Sequence, residues 1–466
     1  MTTLELFIAL AYLVSSLLFI VGIKMMGKTA SARQGNFYSA IAMLIAIVAT
    51  LVNQQVLSYT EILVGVILGS AIGTYYAQKV PMTKMPEMVA IFNGVGGLAS
   101  VFVAGSEYWN KAVEQQIDIN GISGVAIAAS IIIGAITFTG SYIAFAKLNG
   151  TISGKSIMFK GQHALNLVLL LLTIICSTMM VMSPLDPTFA IVVTLISLVL
   201  GVLLVIPIGG ADMPVVISLL NSYSGIAGCA TGFVLNNYVL VISGALVGAS
   251  GIILTQIMCK AMNRSLMNVL LGGFGQTAGS TDDGGSGAQI TVKEIGVEET
   301  AMLFDTASSV IIVPGYGMAV AQAQHVVKEL MDLLEKKNIS VKFAIHPVAG
   351  RMPGHMNVLL AESNVPYDKL IEMEHINDEF ANTDIVLVIG ANDIVNPAAR
   401  SNPNSPIFGM PILNVDKART VIISKRSMAA GYAGIENELF GADNALMLFG
   451  DAKSTVTKVV SELKAM

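Results

Sequence analysis

The sequence predicts a helical membrane bundle followed by an α/β domain with a parallel sheet. Of its 466 residues 54% are hydrophobic and only 12% are charged, against about 25% charged in an ordinary soluble protein. The charges are also uneven, since residues 1–264 hold 11 Lys and Arg and 8 Asp and Glu, whereas residues 265–466 hold 15 and 23. The two parts are therefore expected to meet different solvents, lipid and water.

The first part contains about nine windows that are long and apolar enough to cross a membrane, for which ~20 residues suffice. They lie near residues 4–23, 36–53, 56–77, 85–105, 123–146, 162–182, 188–207, 213–234 and 237–258. The first window follows the N-terminus without a basic segment, so we expect it to be retained as a helix. Gly65, Gly69 and Gly73 recur at every fourth position, and we expect most such small residues to serve close helix packing.

The cations between the windows predict the orientation of the bundle. One side holds ten of them, and the other side holds only Lys111. The ten are Lys24, Lys28, Arg33, Lys79, Lys84, Lys147, Lys155, Lys160, Lys260 and Arg264. Since cytoplasmic loops carry the excess of Lys and Arg, the chain is expected to start outside and to place its second part in the cytoplasm.

Residues 265–292 are predicted to be a linker, because 276–288 is rich in Gly, Ser, Thr and Asp and offers almost nothing to bury. From residue 293 to 466, short apolar runs alternate with helical segments such as 318–337 and 452–463. The runs are Ser309–Val313, Val341–Ile345, Ile385–Ile389, Pro411–Val415, Val421–Ile423 and Leu446–Phe449. This alternation predicts about six strands in a parallel, doubly wound sheet.

A glycine turn follows the first predicted strand and leads into a helix. Gly315 would permit a tight turn, and Gly317 the close approach of a pyrophosphate to the start of the helix. Val320 stands at the third position of the dinucleotide fingerprint, where a glycine is usual, so a plain structural turn remains an alternative.

The ends of two later strands favour NADP over NAD. A usual NAD site has an acid at the end of the second strand, but here that strand ends at His346. Lys425, Arg426 and Ser427 together suit a 2′-phosphate, although they could also be a solvated strand end. Gly431, Tyr432 and Ala433 follow in a small-residue loop. His346 and His355 are expected to be hydrogen-bond partners in loops rather than catalysts.

Composition argues against several other functions. The net charge of −5 and the absence of a basic run make nucleic acid an unlikely partner. Cys176, Cys229 and Cys259 are isolated in apolar segments and lack metal-binding spacing. The five histidines form no metal-binding motif either, so no metal site is expected.

Several long motifs closely resemble the beta subunit of proton-translocating NAD(P) transhydrogenases, over nearly the whole chain. They are Pro314–Gln324, His346–Glu362, Gly390–Pro397, Lys425–Met428, Gly450–Lys453, Asp212–Gly225 and Met258–Arg264. The resemblance implies a Rossmann-like domain that holds NADP(H) in reversed orientation, with Lys425, Arg426 and Ser427 on the 2′-phosphate.

The same resemblance implies the remaining contacts with the cofactor. They involve Tyr316, the loop with Ala349, Gly350, Arg351 and Pro353, the turn with Gly390, Ala391, Asn392 and Asp393, and Asp451. Asp393 is expected to sense the redox state. No catalytic side chain is expected, because direct hydride transfer needs nicotinamides held ~3–3.5 Å apart in a dry site rather than an acid or base.

One fingerprint in this chain implies that NAD(H) binds to a partner, which in the family is the alpha subunit with further transmembrane helices. The resemblance also implies a dimer of alpha-beta units, a Re/Si-specific reaction and a bacterial inner membrane. An alternative function is a transporter or channel that is gated by a cytoplasmic NADP(H) sensor. A third is a reductase that is merely anchored by helices, which polar residues within the spans weigh against.

Polar residues in and beside the spans are candidates for a proton route. Ser218, Asn221 and Ser222 are expected on one helical face with Gly225, and Asp212 at the cytoplasmic mouth. Asn93 lies inside a span, at the place where some relatives carry a histidine that is thought to relay the proton. Since Asn cannot titrate, we expect the proton carrier in the partner. Interhelical hydrogen bonding is the alternative for Asn93 and Asn221.

Overall fold

The computed structural model describes residues 3–52, 59–117, 119, 121–270, 291–403, 405, 407–428 and 435–466. The chain divides into two compact units. The first comprises Met1–Gly210, Val216–Thr255 and Leu270–Gly272, and the second Ala211–Val215, Gln256–Val269 and Gly273–Met466. Most of the predicted linker lies outside the described residues.

Nine helices in the described part of the chain are long and apolar enough to span a membrane, as the sequence predicts. They are α1 Thr3–Met26, α2 Thr29–Val52, α3 Tyr59–Lys79, α4 Met85–Tyr108, α5 Gly121–Leu148, α6 Gln162–Met182, α7 Pro187–Val205, α8 Met213–Val234 and α9 Tyr238–Ala261. A π-helical turn, Trp109–Glu114, continues α4. The protein is therefore a polytopic membrane protein.

Small residues bring several of these helices together. A Cβ added to Gly97 would lie 2.7 Å from the Gly134 carbonyl oxygen on α5, and one added to Gly244 would lie 2.4 Å from the Cys229 nitrogen on α8. The three glycines at every fourth position of α3 have no such neighbour. Cβ atoms on Gly65, Gly69 or Gly73, here called the α3 stripe, would meet nothing within 4 Å in the described chain. The packing expected of these glycines is thus not made among the described residues.

The second unit contains a six-stranded parallel sheet in the order β3-β2-β1-β4-β5-β6. Its strands are β1 Ser309–Pro314, β2 Ser340–Ile345, β3 Leu370–Glu372, β4 Ile385–Ile389, β5 Thr420–Lys425 and β6 Ala445–Phe449. Its helices are α10 Leu266–Leu270, α11 Val297–Thr306, α12 Tyr316–Val320, α13 Gln324–Lys336, α14 His355–Glu362, α15 Met373–Ile376, α16 Ala398–Ser401 and α17 Ala452–Ala465. This strand order confirms the predicted Rossmann-like class.

The prediction of a strand at Pro411–Val415 is wrong. The segment is buried, but its backbone bonds to loops: the Leu413 nitrogen donates to the Ile394 carbonyl, and the Ile412 carbonyl accepts from Asn377. The sheet instead gains the short strand β3, which the sequence analysis missed because three residues form no visible apolar run.

The helix after the glycine turn is also shorter than predicted. Instead of one helix over 318–337, α12 ends at Val320 and α13 begins at Gln324. Gln322 between them has a φ of 49°, which the right-handed helical conformation does not allow. The chain therefore turns directly after the fingerprint before it covers the sheet.

A candidate dinucleotide site at the carboxyl edge of the sheet

The loops predicted to bind the cofactor gather at one edge of the sheet. All strands are parallel, so their carboxyl ends share this edge. The loops after β1, β2, β4, β5 and β6 carry 315–317, 346–354, 390–393, 426–428 and 450–451. Strands β1 and β4 are adjacent at the centre, where the strand order changes direction, and this is where parallel α/β sheets bind ligands.

Glycines allow the two central turns to touch. The Gly315 nitrogen donates to the Ile389 carbonyl, and the Gly317 nitrogen to the Gly390 carbonyl, both at 2.9 Å. Gly390 has a φ of 70°, and a Cβ there would lie 2.1 Å from the Met318 nitrogen. The turn therefore needs glycine on both sides, and the close approach that Gly317 permits here is to the backbone of Gly390.

The loop after β2 is joined to the first turn by an arginine. The Arg351 guanidinium carbon lies 4.3 Å from the centre of the Tyr316 ring, a distance typical of cation–π contacts. The backbone nitrogen of Arg351 donates to His355 Nδ1 at 3.0 Å. Gly350, with a φ of 112°, has no room for a Cβ beside the His355 ring. Ala349 is buried and Pro353 half-buried in the same loop.

Both loop histidines are buried hydrogen-bond acceptors. His346 Nδ1 accepts from the Val348 nitrogen, and its Nε2 lies 2.9 Å from the Pro411 carbonyl oxygen, which requires a proton on Nε2. Burial lowers the pKa of His346 to about 4, opposed by the bond to Pro411. Burial, assisted by Arg351, lowers the pKa of His355 to about 4 as well. Both rings are therefore neutral near pH 7 and serve their loops, as expected.

The turn after β4 is supported from a later part of the chain. Asn437 Nδ2 donates to the Asn392 carbonyl at 3.0 Å, and Asn396 Nδ2 donates to the Glu436 carbonyl at 3.0 Å. Asn392 Nδ2 in turn donates to an Asp393 carboxylate oxygen at 3.3 Å. These bonds hold Asp393 and the buried Ala391 at the sheet edge.

Three predicted phosphate ligands lie at the end of β5. Lys425 is half-buried, and its Nζ lies 4.5 Å from the centre of the Phe440 ring. Burial lowers the pKa of Lys425, and the Asp393 carboxylate opposes that effect. Arg426 and Ser427 are exposed. The edge therefore presents one shielded and one accessible cation beside a hydroxyl.

The remaining predicted ligands have varied surroundings. Asp451 begins α17 and accepts from the Ser454 nitrogen at 3.1 Å, which is a helix-capping role. Val320 ends α12 and is exposed. Gly431, Tyr432 and Ala433 lie outside the described residues.

In the first unit, Asn93 joins three helices. Its Nδ2 donates to Ser141 on α5 at 2.9 Å, and its Oδ1 accepts from Ser224 on α8 at 2.7 Å. A second hydroxyl pair, Ser130 and Thr231, joins α5 to α8 at 2.6 Å. Ser141 and Ser224 were not predicted, since single serines carry no signal in an apolar helix.

The expected polar face on α8 is divided. Ser218 and Ser222 are buried and donate to the Gly251 and Gly248 carbonyls of α9. Asn221 is exposed. The common face stays a prediction: its two serines bond to α9, and Asn221 is the member that the described chain leaves exposed.

Asp212 lies just before α8, in the second unit. Its Oδ1 is 3.9 Å from the Arg264 Nε, and its side chain is mostly buried. Burial raises the pKa of this carboxyl, and the Arg264 cation opposes the shift. No group of His, Cys, Asp and Glu suitable for a metal occurs among the described residues.

The residues that support the site could not be predicted from the sequence. Asn437 bonds to the turn at Asn392, and Phe440 contacts Lys425; both lie more than ten positions along the chain from the residue they contact. Such supporting contacts depend on the fold.

Comparisons with known proteins agree with this architecture. A family model described as "NAD(P) transhydrogenase beta subunit" matches residues 8–462. The "NAD(P) transhydrogenase subunit beta" of Rhodospirillum rubrum is 50% identical over 456 residues, which cover 97% of this chain and 98% of the relative. The subunit from a named strain of that species matches with the same figures.

Proposed function

We propose, because the chain belongs to the family of NAD(P) transhydrogenase beta subunits, that it is the NADP(H)-binding membrane subunit of a proton-translocating, Re/Si-specific NAD(P) transhydrogenase. Hydride would pass between NADH on an alpha subunit and NADP⁺ on this chain, coupled to proton movement across the membrane. The proposed domains are a bundle over 1–264, a linker over 265–292 and a nucleotide domain over 293–466.

The supporting observation is the pairing of glycine turns with cations at one sheet edge. Gly315, Gly317 and Gly390 bring the two central turns together, while Lys425 and Arg426 end the strand next to β4. Strand β2 ends on the other side of β1, and its end carries His346, which is buried and neutral. An acid that would bind a ribose hydroxyl is therefore not found at this position. These donors fit a 2′-phosphate and therefore NADP(H).

Different residues at the sheet edge would bind different parts of the cofactor. NADP(H), when bound, supplies the hydride donor or acceptor. Lys425, Arg426 and Ser427 would hold its 2′-phosphate, with Lys425 kept in place by Phe440. Tyr316 and the Arg351 loop would contact and shield the cofactor together with the turn at 390–393. Gly431, Tyr432, Ala433, Val320 and Asp451 are proposed as further contacts.

The NAD(H) site is proposed to lie on the alpha subunit. This chain has a single glycine fingerprint after a strand, and hydride transfer between two nicotinamides requires two sites. We propose a dimer of alpha-beta units in a bacterial inner membrane, with the N-terminus outside and the nucleotide domain in the cytoplasm. The ten-to-one bias of Lys and Arg supports that orientation.

Polar groups of this chain would line part of the proton route. Asn93 with its serine partners, exposed Asn221, buried Ser218 and Ser222, and Asp212 are the proposed members. The proposed members within the spans are amides and hydroxyls that cannot carry a proton by titration, so we propose that the proton carrier in the span belongs to the partner. The membrane potential would supply ~2.3 kcal/mol per charge per 100 mV.

One experiment separates this function from a nucleotide-gated channel. The assembled complex in vesicles should reduce an NADP analogue with NADH while protons cross the membrane. The purified chain without a partner should bind NADP(H) but transfer no hydride from NADH. Binding and ion flux without hydride transfer in the assembled complex would favour the gated channel, and robust turnover by the lone chain would refute the subunit assignment.

Asn221 tests the proton route directly. Because Asn221 is exposed, and Ser218 and Ser222 make the hydrogen bonds to α9, Asn221→Leu should leave those bonds intact while removing a polar group from the route. Hydride transfer and proton movement should fall together in vesicles. Phe233→Leu, at another exposed position of α8, is the control. Full activity of both processes in Asn221→Leu would exclude Asn221 from the route.

A further inference from the structure

A buried lysine joins two loops of the first unit. Lys147, near the end of α5, is only 5% exposed. Its Nζ donates to the carbonyl oxygens of Lys155 at 3.1 Å, Ile206 at 2.6 Å and Ile208 at 2.7 Å. An ammonium has three protons to donate, so these three acceptors use its full capacity.

The same two loops are joined by further hydrogen bonds. The Gly210 nitrogen donates to the Gly154 carbonyl at 2.8 Å, and the Ser156 hydroxyl donates to the Pro207 carbonyl. Gln162 Nε2 donates to the Leu203 carbonyl at 2.9 Å, at the end of α7. The loop between α5 and α6 thus holds the segment that follows α7 at several points, and Lys147 adds two bonds to that segment and one to the loop.

The position of this segment in the chain gives the lysine a functional meaning. The segment 206–210 ends two positions before Asp212, and α8 begins at Met213. A carbonyl-bound ammonium is a directional, charge-assisted anchor, and a buried ammonium without acceptors would be costly. The arrangement therefore fixes the path of the backbone at the entrance to α8.

We propose that Lys147 is a positioning residue for proton coupling: it anchors residues 206–208 and so sets the backbone that carries Asp212 into α8. The inference rests on the proposed function, in which Asp212 lies at the mouth of the proton route. Lys147 transfers no proton in this scheme. Its three donor protons are engaged by backbone carbonyls, and its task is to keep that segment in one conformation.

Lys147→Met tests the proposal, with Lys155→Met as the matched control. Both changes remove one lysine charge, but the Lys155 side chain is exposed, and only its backbone carbonyl takes part in the anchor. The alpha-beta complex is reconstituted in vesicles, and two rates are measured per inserted complex. One is NADPH-driven reduction of an NAD analogue with proton movement, and the other is isotopic hydride exchange between nucleotide pools without net reduction.

Lys147→Met removes all three bonds and should lower the coupled rate about tenfold or more, since even one lost charge-assisted bond corresponds to such a factor. Hydride exchange should stay within about twofold. Lys155→Met should match the unchanged protein, and Lys147→Arg, which retains a donor cation, should recover part of the coupled rate. Unchanged coupling in Lys147→Met, or a parallel loss of both rates, would overturn the proposal in favour of a purely structural bond.

A milder variant guards against misfolding. Ser156→Ala removes one bond to the same segment, at Pro207, and should lower the coupled rate about two- to threefold with hydride exchange unchanged. Equal rates in Ser156→Ala and the unchanged protein, together with failure of Lys147→Met to assemble, would count against positioning. A complex without mutations that transfers hydride but moves no protons would instead refute the proposed function itself.

Discussion

Glycine serves different purposes in the sheet domain and in the membrane helices. At the sheet edge, Gly390 adopts a φ of 70° and leaves no space for a Cβ, so it meets two demands at once. In the bundle, Gly225 and Gly244 have ordinary helical conformations and only make room for the backbone of the facing helix. A side chain added at Gly390 would strain the local backbone, whereas one added at Gly225 or Gly244 would push two helices apart.

The difference also determines what a sequence reveals. A glycine turn after a strand specifies both the local backbone and the kind of ligand that can approach it. A glycine stripe on a helix specifies only that another helix could come close. The α3 glycines have open space in the described part of the chain, whereas Cβ atoms on Gly225 and Gly244 would each lie 2.4 Å from a backbone nitrogen of the facing helix.

The largest expected effect comes from adding a methyl group to Gly390. Gly390→Ala should abolish NADP(H) binding and destabilise the nucleotide domain by more than about 4 kcal/mol, because strain and overpacking add together. Gly354→Ala is the control, since Gly354 has a φ of 67° but open space around it, and should cost ~1–2 kcal/mol. NADPH titration and thermal unfolding of the purified chain measure both. Similar effects of the two substitutions would show that strain alone matters.

Much of the fold was predictable because long apolar runs dictate both spans and central strands. The nine spans and five of six strands followed from such runs, since burial on all sides leaves an unbroken signal. Leu370–Glu372 was missed because it is short and lies at the sheet edge. Pro411–Val415 was misassigned because apolar burial in an extended loop gives the same sequence pattern as a strand.

The candidate site was predictable only in part. Turn glycines and strand-end cations are visible locally, and the resemblance to a family supplied the remaining ligands. Their supports, such as Asn437 and Phe440, come from distant segments, so no local pattern reveals them. The exposure of Asn221 could not be predicted, because a helical wheel does not fix where a neighbouring helix ends its coverage.

Acid should destabilise the sheet domain through its buried histidines. The pKa values of His346 and His355 fall from 6.5 to about 4 on folding. Between these pH values the two histidines are protonated in the unfolded chain and neutral in the folded chain. The stability contribution is therefore complete above pH 6.5 and is lost as the pH falls towards 4, by up to roughly 3 kcal/mol per histidine.

Thermal unfolding between pH 7.5 and 4.5 checks the size of this dependence. His346→Gln should make the dependence shallower, although its stability at pH 7.5 should be lower. His325→Gln, at an exposed position, should leave the dependence unchanged. An equal slope in all three proteins would mean that other groups cause the acid sensitivity.

Arg426→Ala should affect the ligand without affecting the fold, which separates binding from the structural role of Gly390. The substitution removes the exposed guanidinium, and the 2′-phosphate of the cofactor would lose a charge-assisted bond worth ~1.5–3 kcal/mol. NADP(H) should therefore bind at least about tenfold more weakly. NAD(H), which has no 2′-phosphate, should be nearly unaffected. Calorimetric titration of the full chain with both cofactors measures the contrast, and a parallel loss for both would make Arg426 structural.

The smallest expected effect compares two glycines within the membrane bundle. A Cβ on Gly244 would lie 2.4 Å from the Cys229 nitrogen, whereas a Cβ on Gly228, on the same helix as Cys229, would meet nothing within 4 Å. Gly244→Ala must therefore separate two helices that otherwise touch through their backbones, and should cost ~1–3 kcal/mol. Gly228→Ala should be neutral or slightly stabilising, since alanine favours the helix by up to ~1 kcal/mol. Thermal unfolding of the purified chain in detergent checks both values. If Gly228→Ala instead weakened assembly with the alpha subunit while leaving the isolated chain intact, its open side would be a site of subunit contact, and the α3 stripe would deserve the same test.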